Sequence, residues 1–171
     1  MERPGDGNRK AQRSNFGQGP PNDNAYLEFL KKQADGAQLV CSVCTVAVFL
    51  AGAGLLNGHV ASTHWAYRPG LRLFPCHVVD DYRRYVQSGN RVTGAGISSG
   101  LDEALYIVGL LCGVRVARDV QFKMQYHPQP AFHCGDPSDT DIKDDPQMIT
   151  EIAAAWEVQQ AVEQVAAWMK S

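Results

Sequence analysis

A cysteine stands where an apolar stretch of the chain changes its pattern, in the sequence Ser42-Val43-Cys44-Thr45. Residues 38–43 are aliphatic and β-branched and predict a strand, whereas residues 45–56 include the small side chains of a helix packed closely on a sheet. A nucleophile at such a turn is exposed above the sheet. The positive end of the helix dipole lowers the pKa of a thiol there. The pattern predicts a nucleophilic Cys44, with Thr45 hydrogen-bonded to the thiolate through its hydroxyl or its backbone N–H.

Two other interpretations of this cysteine stay open. Cys41 and Cys44 form a C-x-x-C pair, a spacing found in redox dithiols and in half of a zinc site. The other three cysteines and the five histidines occur singly, so no second half of a zinc site follows. Cys44 is alternatively a small buried apolar residue, the commonest environment of a cysteine. We expect no metal ion and no cofactor.

Composition limits the class of protein. The chain has 171 residues, of which 44% are hydrophobic, enough for one compact domain with a substantial core. With 16 basic and 18 acidic residues it has no excess charge for nucleic acid or an anionic membrane. Five cysteines are an odd number, and residues 1–19 contain no apolar segment for export. We therefore expect free thiols in a reducing, cytoplasmic compartment.

A membrane span is the main alternative, because residues 39–56 are an eighteen-residue run without a charge. Ser42, Thr45 and the small residues Gly52-Ala53-Gly54 argue against a span, as does the lack of a basic cluster beyond Lys31-Lys32. A buried parallel strand followed by a buried helix produces the same apolar run. We favour the strand and helix.

The other predicted elements alternate between strands and helices. Residues 1–22 are predicted to be a disordered tail, and 23–171 a single α/β domain with a mainly parallel sheet. Pro69-Gly70 is expected to break any helix between residues 64 and 74. The remaining predictions are a helix ending near Gly36, a strand at 59–63, a hairpin formed by 82–87 and 91–93, helices from Ser98 or Ser99 to Cys112 and over 114–124, and one C-terminal helix at about 146–170.

Several segments together resemble a known family. The turn at Cys44 is followed by A-G-L-L-N-G at residues 53–58 and A-S-T-H-W-A at 61–66, which are similar to motifs of the ThiJ/PfpI superfamily. N-R-V-T-G-A-G-I-S-S-G-L-D at 90–102 and Q-Y-H-P-Q-P-A-F at 125–132 continue the match, and the last resembles the isonitrile hydratase branch. The resemblance covers roughly residues 17–137 in order.

The resemblance implies a flavodoxin-like sandwich of the class I glutamine amidotransferase type, usually a homodimer, acting on a small-molecule isonitrile. Cys44 would be the nucleophile, Thr45 its hydrogen-bond partner, and Gly17 and Gly19 the end of the loop that supplies an oxyanion N–H. Ile97 would pack against the helix bearing the cysteine. His64 lies where the family keeps a histidine near the nucleophile, with a structural role as the alternative. Asp102 is interpreted as a first-turn carboxylate of its helix rather than a catalytic acid.

The chain departs from the family in two respects. We expect it to lack the N-terminal βα units, which carry an acidic residue beside the thiol, and Val46 replaces a glycine two positions after the nucleophile. Three functions follow as hypotheses. The first is isonitrile hydration to an N-substituted formamide, in isonitrile natural-product metabolism. The second is a degenerate, non-catalytic binding or dimerisation module. The third is glyoxalase-like, amidase-like or redox-sensor thiol chemistry.

Overall fold

A computed structural model describes residues 25–139, 145–155 and 157–168 of the chain. The first helix, α1, is Ala25–Ala34, and it is followed by strand β1 at Val40–Ser42 and helix α2 at Val46–Gly52. The predicted tail at residues 1–22 lies outside the described residues. No helix within the described ranges has the length and apolar character needed to cross a membrane.

Within the described residues, the centre of the fold contains four more strands. They are β2 at Val60–Ala61, β3 at His77–Val78, β4 at Tyr85–Ser88 and β5 at Arg91–Gly94. Strand β5 pairs in parallel with β1 and antiparallel with β4, giving the order β1-β5-β4, and β2 pairs in parallel with β3. The predicted mainly parallel α/β fold is confirmed, as is the hairpin β4–β5, whose turn uses Gly89 at φ 60°.

The two small sheets meet beside the end of β5. The Ser62 backbone N–H donates to Thr93 Oγ1 over 2.8 Å, and the Val60 N–H donates to Ser88 Oγ over 3.1 Å. A buried apolar cluster joins β1, α2 and the segment after β2, and it includes Val40, Leu50, Ala61, Leu71 and Phe74. These contacts hold β2 and the chain that follows it against β4, β5 and α2.

The helices after the sheet largely follow the predictions. Helix α4 is Ser99–Cys112 and α5 is Val114–Lys123, separated by Gly113 at φ 87°. The predicted single C-terminal helix is wrong, because α6 at Pro146–Ala155 and α7 at Val158–Trp168 are separate and Glu157 between them has φ 51°.

Two predictions near the nucleophile also need correction. Helix α2 ends at Gly52 rather than Leu56, because the chain turns through Gly54 at φ 74°. Pro69-Gly70 does not prevent helix formation, since the short helix α3 at Arg68–Leu71 contains both residues and forms directly after a 3₁₀ turn at Trp65–Tyr67. Proline is tolerated there because it lies in the first turn, where its missing N–H would have no intrahelical acceptor.

Candidate functional site

Cys44 occupies a sharp bend between β1 and α2. Its φ is 62°, in the left-handed region that residues other than glycine rarely adopt. The bend is held by hydrogen bonds on both sides of the residue. The Cys44 N–H donates to the Gly94 carbonyl oxygen over 3.2 Å, and the Thr63 hydroxyl donates to the Cys44 carbonyl oxygen over 2.8 Å. A strained cysteine held from two neighbouring segments is the geometry expected of a nucleophile elbow.

The thiol of Cys44 accepts hydrogen bonds from the backbone. The N–H groups of Thr45 and Ile97 point at the sulfur and favour its thiolate, which lowers the pKa. Burial acts in the opposite direction and is the larger effect, so the thiol pKa is raised above its ordinary value. The prediction of a lowered pKa is therefore wrong. Helix α2 has only seven residues and cannot offset the desolvation of a half-buried thiolate.

Thr45 and Ile97 contribute through their backbones. Of the two interactions predicted for Thr45, the structure has the backbone N–H at the sulfur. The prediction that Ile97 packs against the helix bearing the cysteine is wrong, because its side chain is 79% exposed. The loop between β5 and α4 turns the Ile97 N–H, rather than the side chain, toward the elbow.

His64 is buried beside this loop. Its Nδ1 accepts the Ala66 N–H over 3.3 Å and so caps the 3₁₀ turn, which places the ring proton on Nε2 in the neutral imidazole. Burial lowers the His64 pKa and keeps the ring uncharged. The opposite edge of the ring faces Gly96, where an added Cβ would lie 3.4 Å from His64 Cδ2. His64 thus supports the loop that carries the Ile97 N–H.

Tyr67 was not predicted from the sequence as a site residue. Its half-buried ring meets the His64 ring edge-on, with 6.3 Å between centroids. Burial, followed by the charge of Cys44, raises the Tyr67 pKa. The only sequence signal is its position three residues after His64.

Glu103 was also not predicted from the sequence as a site residue. Its side chain is almost fully buried, at 2% exposure, and within the described part of the chain neither carboxylate oxygen has a hydrogen-bond partner. It packs against the backbone of Gly94, where an added Cβ would lie only 2.2 Å from Oε2, and it interacts electrostatically with Cys41. Desolvation raises its pKa to about 7. Glu103 follows the acidic Asp102 directly in the sequence, and nothing in the sequence distinguishes the one that faces the sheet.

Asp102 lies apart from the cysteine. Its carboxylate accepts hydrogen bonds from Arg84 Nε over 2.6 Å and from the Tyr126 hydroxyl over 3.1 Å. These residues line a cavity of about 530 Å³ between α4 and α5. The arrangement agrees with a carboxylate in the first turn of α4 that joins elements of the fold.

The other predicted positions contribute less. Gly17 and Gly19 lie outside the described residues. Val46 is the first residue of α2 and is 40% exposed. Cys41 and Cys44 are both free thiols, and the described ranges contain no group of three His, Cys, Asp or Glu side chains arranged to hold a metal ion.

Comparison with known proteins agrees with this geometry. Residues 17–109 match the DJ-1/PfpI family, and the chain belongs to that family. It is 44% identical over 115 residues to an isonitrile hydratase of Pseudomonas putida, a match that covers 67% of this chain and 50% of the relative. It is 29% identical over 109 residues to protein DJ-1alpha of Drosophila melanogaster, covering 64% of this chain and 49% of the relative.

A solved structure shows the same architecture. A ThiJ/PfpI family protein from Pseudomonas syringae superposes with a TM-score of 0.75 at 30% identity, over 88% of this chain and 59% of that one. The suspected family and the fold are thus confirmed. The chain spans about half the length of the curated relatives it matches.

Proposed function

We propose that the protein hydrates isonitriles to N-substituted formamides, with Cys44 as the nucleophile. The observation that carries the proposal is the strained Cys44, whose sulfur accepts the Thr45 and Ile97 N–H groups. The 44% identity to an isonitrile hydratase supports the choice of substrate class. An isonitrile is also uncharged and compact, which suits a half-buried thiol.

The reaction uses the thiol as a covalent catalyst. The Cys44 thiolate attacks the terminal carbon of R–N≡C, a C–S bond forms, and the carbon takes up a proton to give the thioimidate R–N=CH–S. Water then adds to that carbon while the nitrogen is protonated. The C–S bond breaks, the thiolate leaves and the hydroxyl proton is lost, which yields R–NH–CHO. The two N–H groups stabilise the sulfur when it is negatively charged, before attack and after release.

Incubation of the protein with benzyl isonitrile tests the proposal, with the formamide followed by its formyl proton in NMR. We expect product from the wild type and from Cys112→Ser, a control at an exposed cysteine, but none from Cys44→Ser. No product from the wild type, or equal product from Cys44→Ser, would refute the proposal.

A non-catalytic binding module is the second candidate, and the raised pKa of Cys44 favours it. A thiol that stays protonated reacts slowly, because the thiolate is the nucleophile. In that case iodoacetamide would alkylate Cys44 no faster than Cys76 or Cys112. Faster alkylation of Cys44 would favour the hydratase.

Assembly and location are part of the proposal. We propose one domain over residues 23–171, which forms a homodimer in the cytoplasm and takes part in isonitrile natural-product metabolism. Exposed apolar side chains on α4 and α5, including Leu111, Val114 and Phe122, support an association surface. Sedimentation velocity tests the dimer, and a monomer at micromolar concentration would contradict it.

A further inference from the structure

Glu103 is a buried carboxyl group without the partners that such a group normally has. Its side chain is 2% exposed, and neither of its oxygens has a hydrogen-bond partner within the described part of the chain. Buried polar groups left unpaired in this way are rare in folded proteins. An isolated charge is strongly disfavoured in such surroundings, so the group either stays protonated or ionises only when its surroundings change.

The surroundings of Glu103 belong to the support of the nucleophile. Its carboxyl group lies against the backbone of Gly94 at the end of β5, so closely that an added Cβ would overlap Oε2. The carbonyl oxygen of Gly94 is the acceptor of the Cys44 N–H. Three residues further on, the Ile97 N–H points at the Cys44 sulfur. Glu103 thus packs against the segment that contacts the nucleophile twice.

The same segment is joined to the first turn of α4, the helix that carries Glu103. Ser99, the first residue of α4, donates to the Gly96 carbonyl oxygen through its hydroxyl over 2.6 Å and through its N–H over 2.9 Å. The Ser99 side chain is fully buried. A movement of α4 away from β5 therefore displaces the loop between them, and the Ile97 N–H with it.

Within the described residues, no cation faces Glu103 from the elements packed against it. Strand register places two titratable side chains on the face of the sheet that α4 covers, Cys41 on β1 and Tyr85 on β4. Burial raises the pKa of both, so both are uncharged at neutral pH. On α4 itself, the Asp102 carboxylate is paired with Arg84 over 2.6 Å. Desolvation therefore dominates at Glu103 and raises its pKa to about 7.

We propose that Glu103 is a positioning residue for Cys44, whose neutral carboxyl group holds α4 on β5 and keeps the Ile97 N–H at the sulfur, and whose ionisation releases that N–H. The proton is lost to bulk water, and the remaining carboxylate draws water to itself, which separates α4 from Gly94. The Cys44 thiolate then keeps the Thr45 N–H and loses the other. This inference concerns any reaction of the thiolate and does not depend on isonitrile hydration.

Amide exchange measured by NMR tests the release directly, in the wild type and in Glu103→Gln, whose side chain stays neutral. Comparing the two proteins at the same pH removes the intrinsic pH dependence of exchange. From pH 6 to pH 8 we expect exchange of the Ile97 amide in the wild type, relative to the variant, to rise about tenfold. A carboxyl group with a pKa of about 7 in place and a lower one when released favours release by about that factor over this range.

The Thr45 amide is the internal control for this measurement, because it points at the same sulfur from the opposite segment. Its exchange in the wild type relative to the variant should change by less than about twofold over the same pH range. Equal changes at Ile97 and Thr45 would overturn the inference, because Glu103 would then set only the overall stability. No change at Ile97 would overturn it as well.

The pH dependence of alkylation is a second readout, followed on the Cys44 peptide by mass spectrometry. Iodoacetamide reacts with the thiolate, whose fraction rises about tenfold per pH unit below the thiol pKa. From pH 6 to pH 8 we expect the rate to rise about 100-fold in Glu103→Gln. In the wild type we expect a rise of only about 20-fold, short by the factor of about five that one hydrogen bond contributes. Glu28→Gln, at an exposed carboxylate paired with Lys31, should behave as the wild type.

The wild-type alkylation profile needs no substitution at position 103, so it decides the question even if Glu103→Gln does not fold. A full 100-fold rise in the wild type would overturn the inference. A steeper rise would also overturn it, since the thiol would then gain exposure to water rather than lose a hydrogen bond. The expected shortfall in a protein that forms no formamide would show that the proposed hydratase function had failed and the role of Glu103 had not.

Discussion

The backbone N–H of Cys44 donates to the carbonyl oxygen of Gly94 over 3.2 Å. This bond continues the parallel β1–β5 ladder one step beyond Ser42, which pairs with Thr93. The bend at the nucleophile therefore begins while the chain is still tied to its neighbouring strand. The loop after Gly94 then brings the Ile97 N–H to the same sulfur.

The strain at Cys44 predicts an unusual order of stability. Because φ is 62°, a residue with a Cβ is disfavoured there by about 1 kcal/mol relative to glycine. Cys44→Gly should therefore be more stable than Cys44→Ala by about 1 kcal/mol, although it removes more of the side chain. Urea denaturation of the two variants measures the difference. A glycine variant less stable than the alanine variant would show that the bend is not strained.

A side chain at position 94 should destabilise the fold. A Cβ there would lie 2.2 Å from the buried Glu103 Oε2, so we expect Gly94→Ala to lower the free energy of unfolding by about 1–3 kcal/mol. Gly36→Ala is the control, because no atom lies within 4 Å of the added Cβ. If denaturation midpoints show equal effects for the two substitutions, Glu103 does not pack against β5 as described.

Much of this arrangement could be predicted from the sequence, because it depends on local patterns. The apolar run before Cys44, the turn at Gly89 and the cap at Gly113 are short-range signals, and β1, the β4–β5 hairpin and α4 follow from them. The lengths of α2 and of the C-terminal helices depend on single backbone angles, which periodicity does not reveal.

The thiol environment could not be predicted in the same way. The balance between burial and backbone hydrogen bonds at Cys44 depends on how three segments pack together. Tyr67 and Glu103 acquire their surroundings only from that packing. A helix dipole inferred from sequence gives the sign of one contribution to the pKa and not the sign of the sum.

Glu103 predicts a pH-dependent stability. Its pKa rises from 4.5 to about 7 on folding, so the protonated form is favoured in the folded state. The contribution is fully present below about pH 4.5 and is lost as the pH rises through about 7, by up to about 3 kcal/mol. Glu103→Gln should remove this loss. Denaturation at pH 4.5 and pH 8 measures it, with the exposed Glu28→Gln as the control. The same loss in both variants would show that Glu103 titrates normally.

Asp102 is expected to contribute to stability through its two partners. Asp102→Asn weakens the ion pair with Arg84 and the bond from Tyr126, and we expect a loss of about 1 kcal/mol because the carboxylate is only partly exposed. Asp80→Asn breaks the exposed pair with Arg72 and should have no measurable effect. Thermal melts of both variants compare them. Equal melting temperatures for the two variants would show that the contacts of Asp102 do not stabilise the packing of α4.

The proposed mechanism requires that Cys44 becomes covalently bonded to the isonitrile carbon. Rapid quenching during turnover of benzyl isonitrile, followed by peptide mapping by mass spectrometry, would locate the thioimidate by the added mass of one isonitrile. The mechanism predicts this mass on the peptide that contains Cys44, and no such mass on the peptides of Cys76 or Cys112. An adduct confined to another cysteine, or formamide released without any adduct on Cys44, would contradict it.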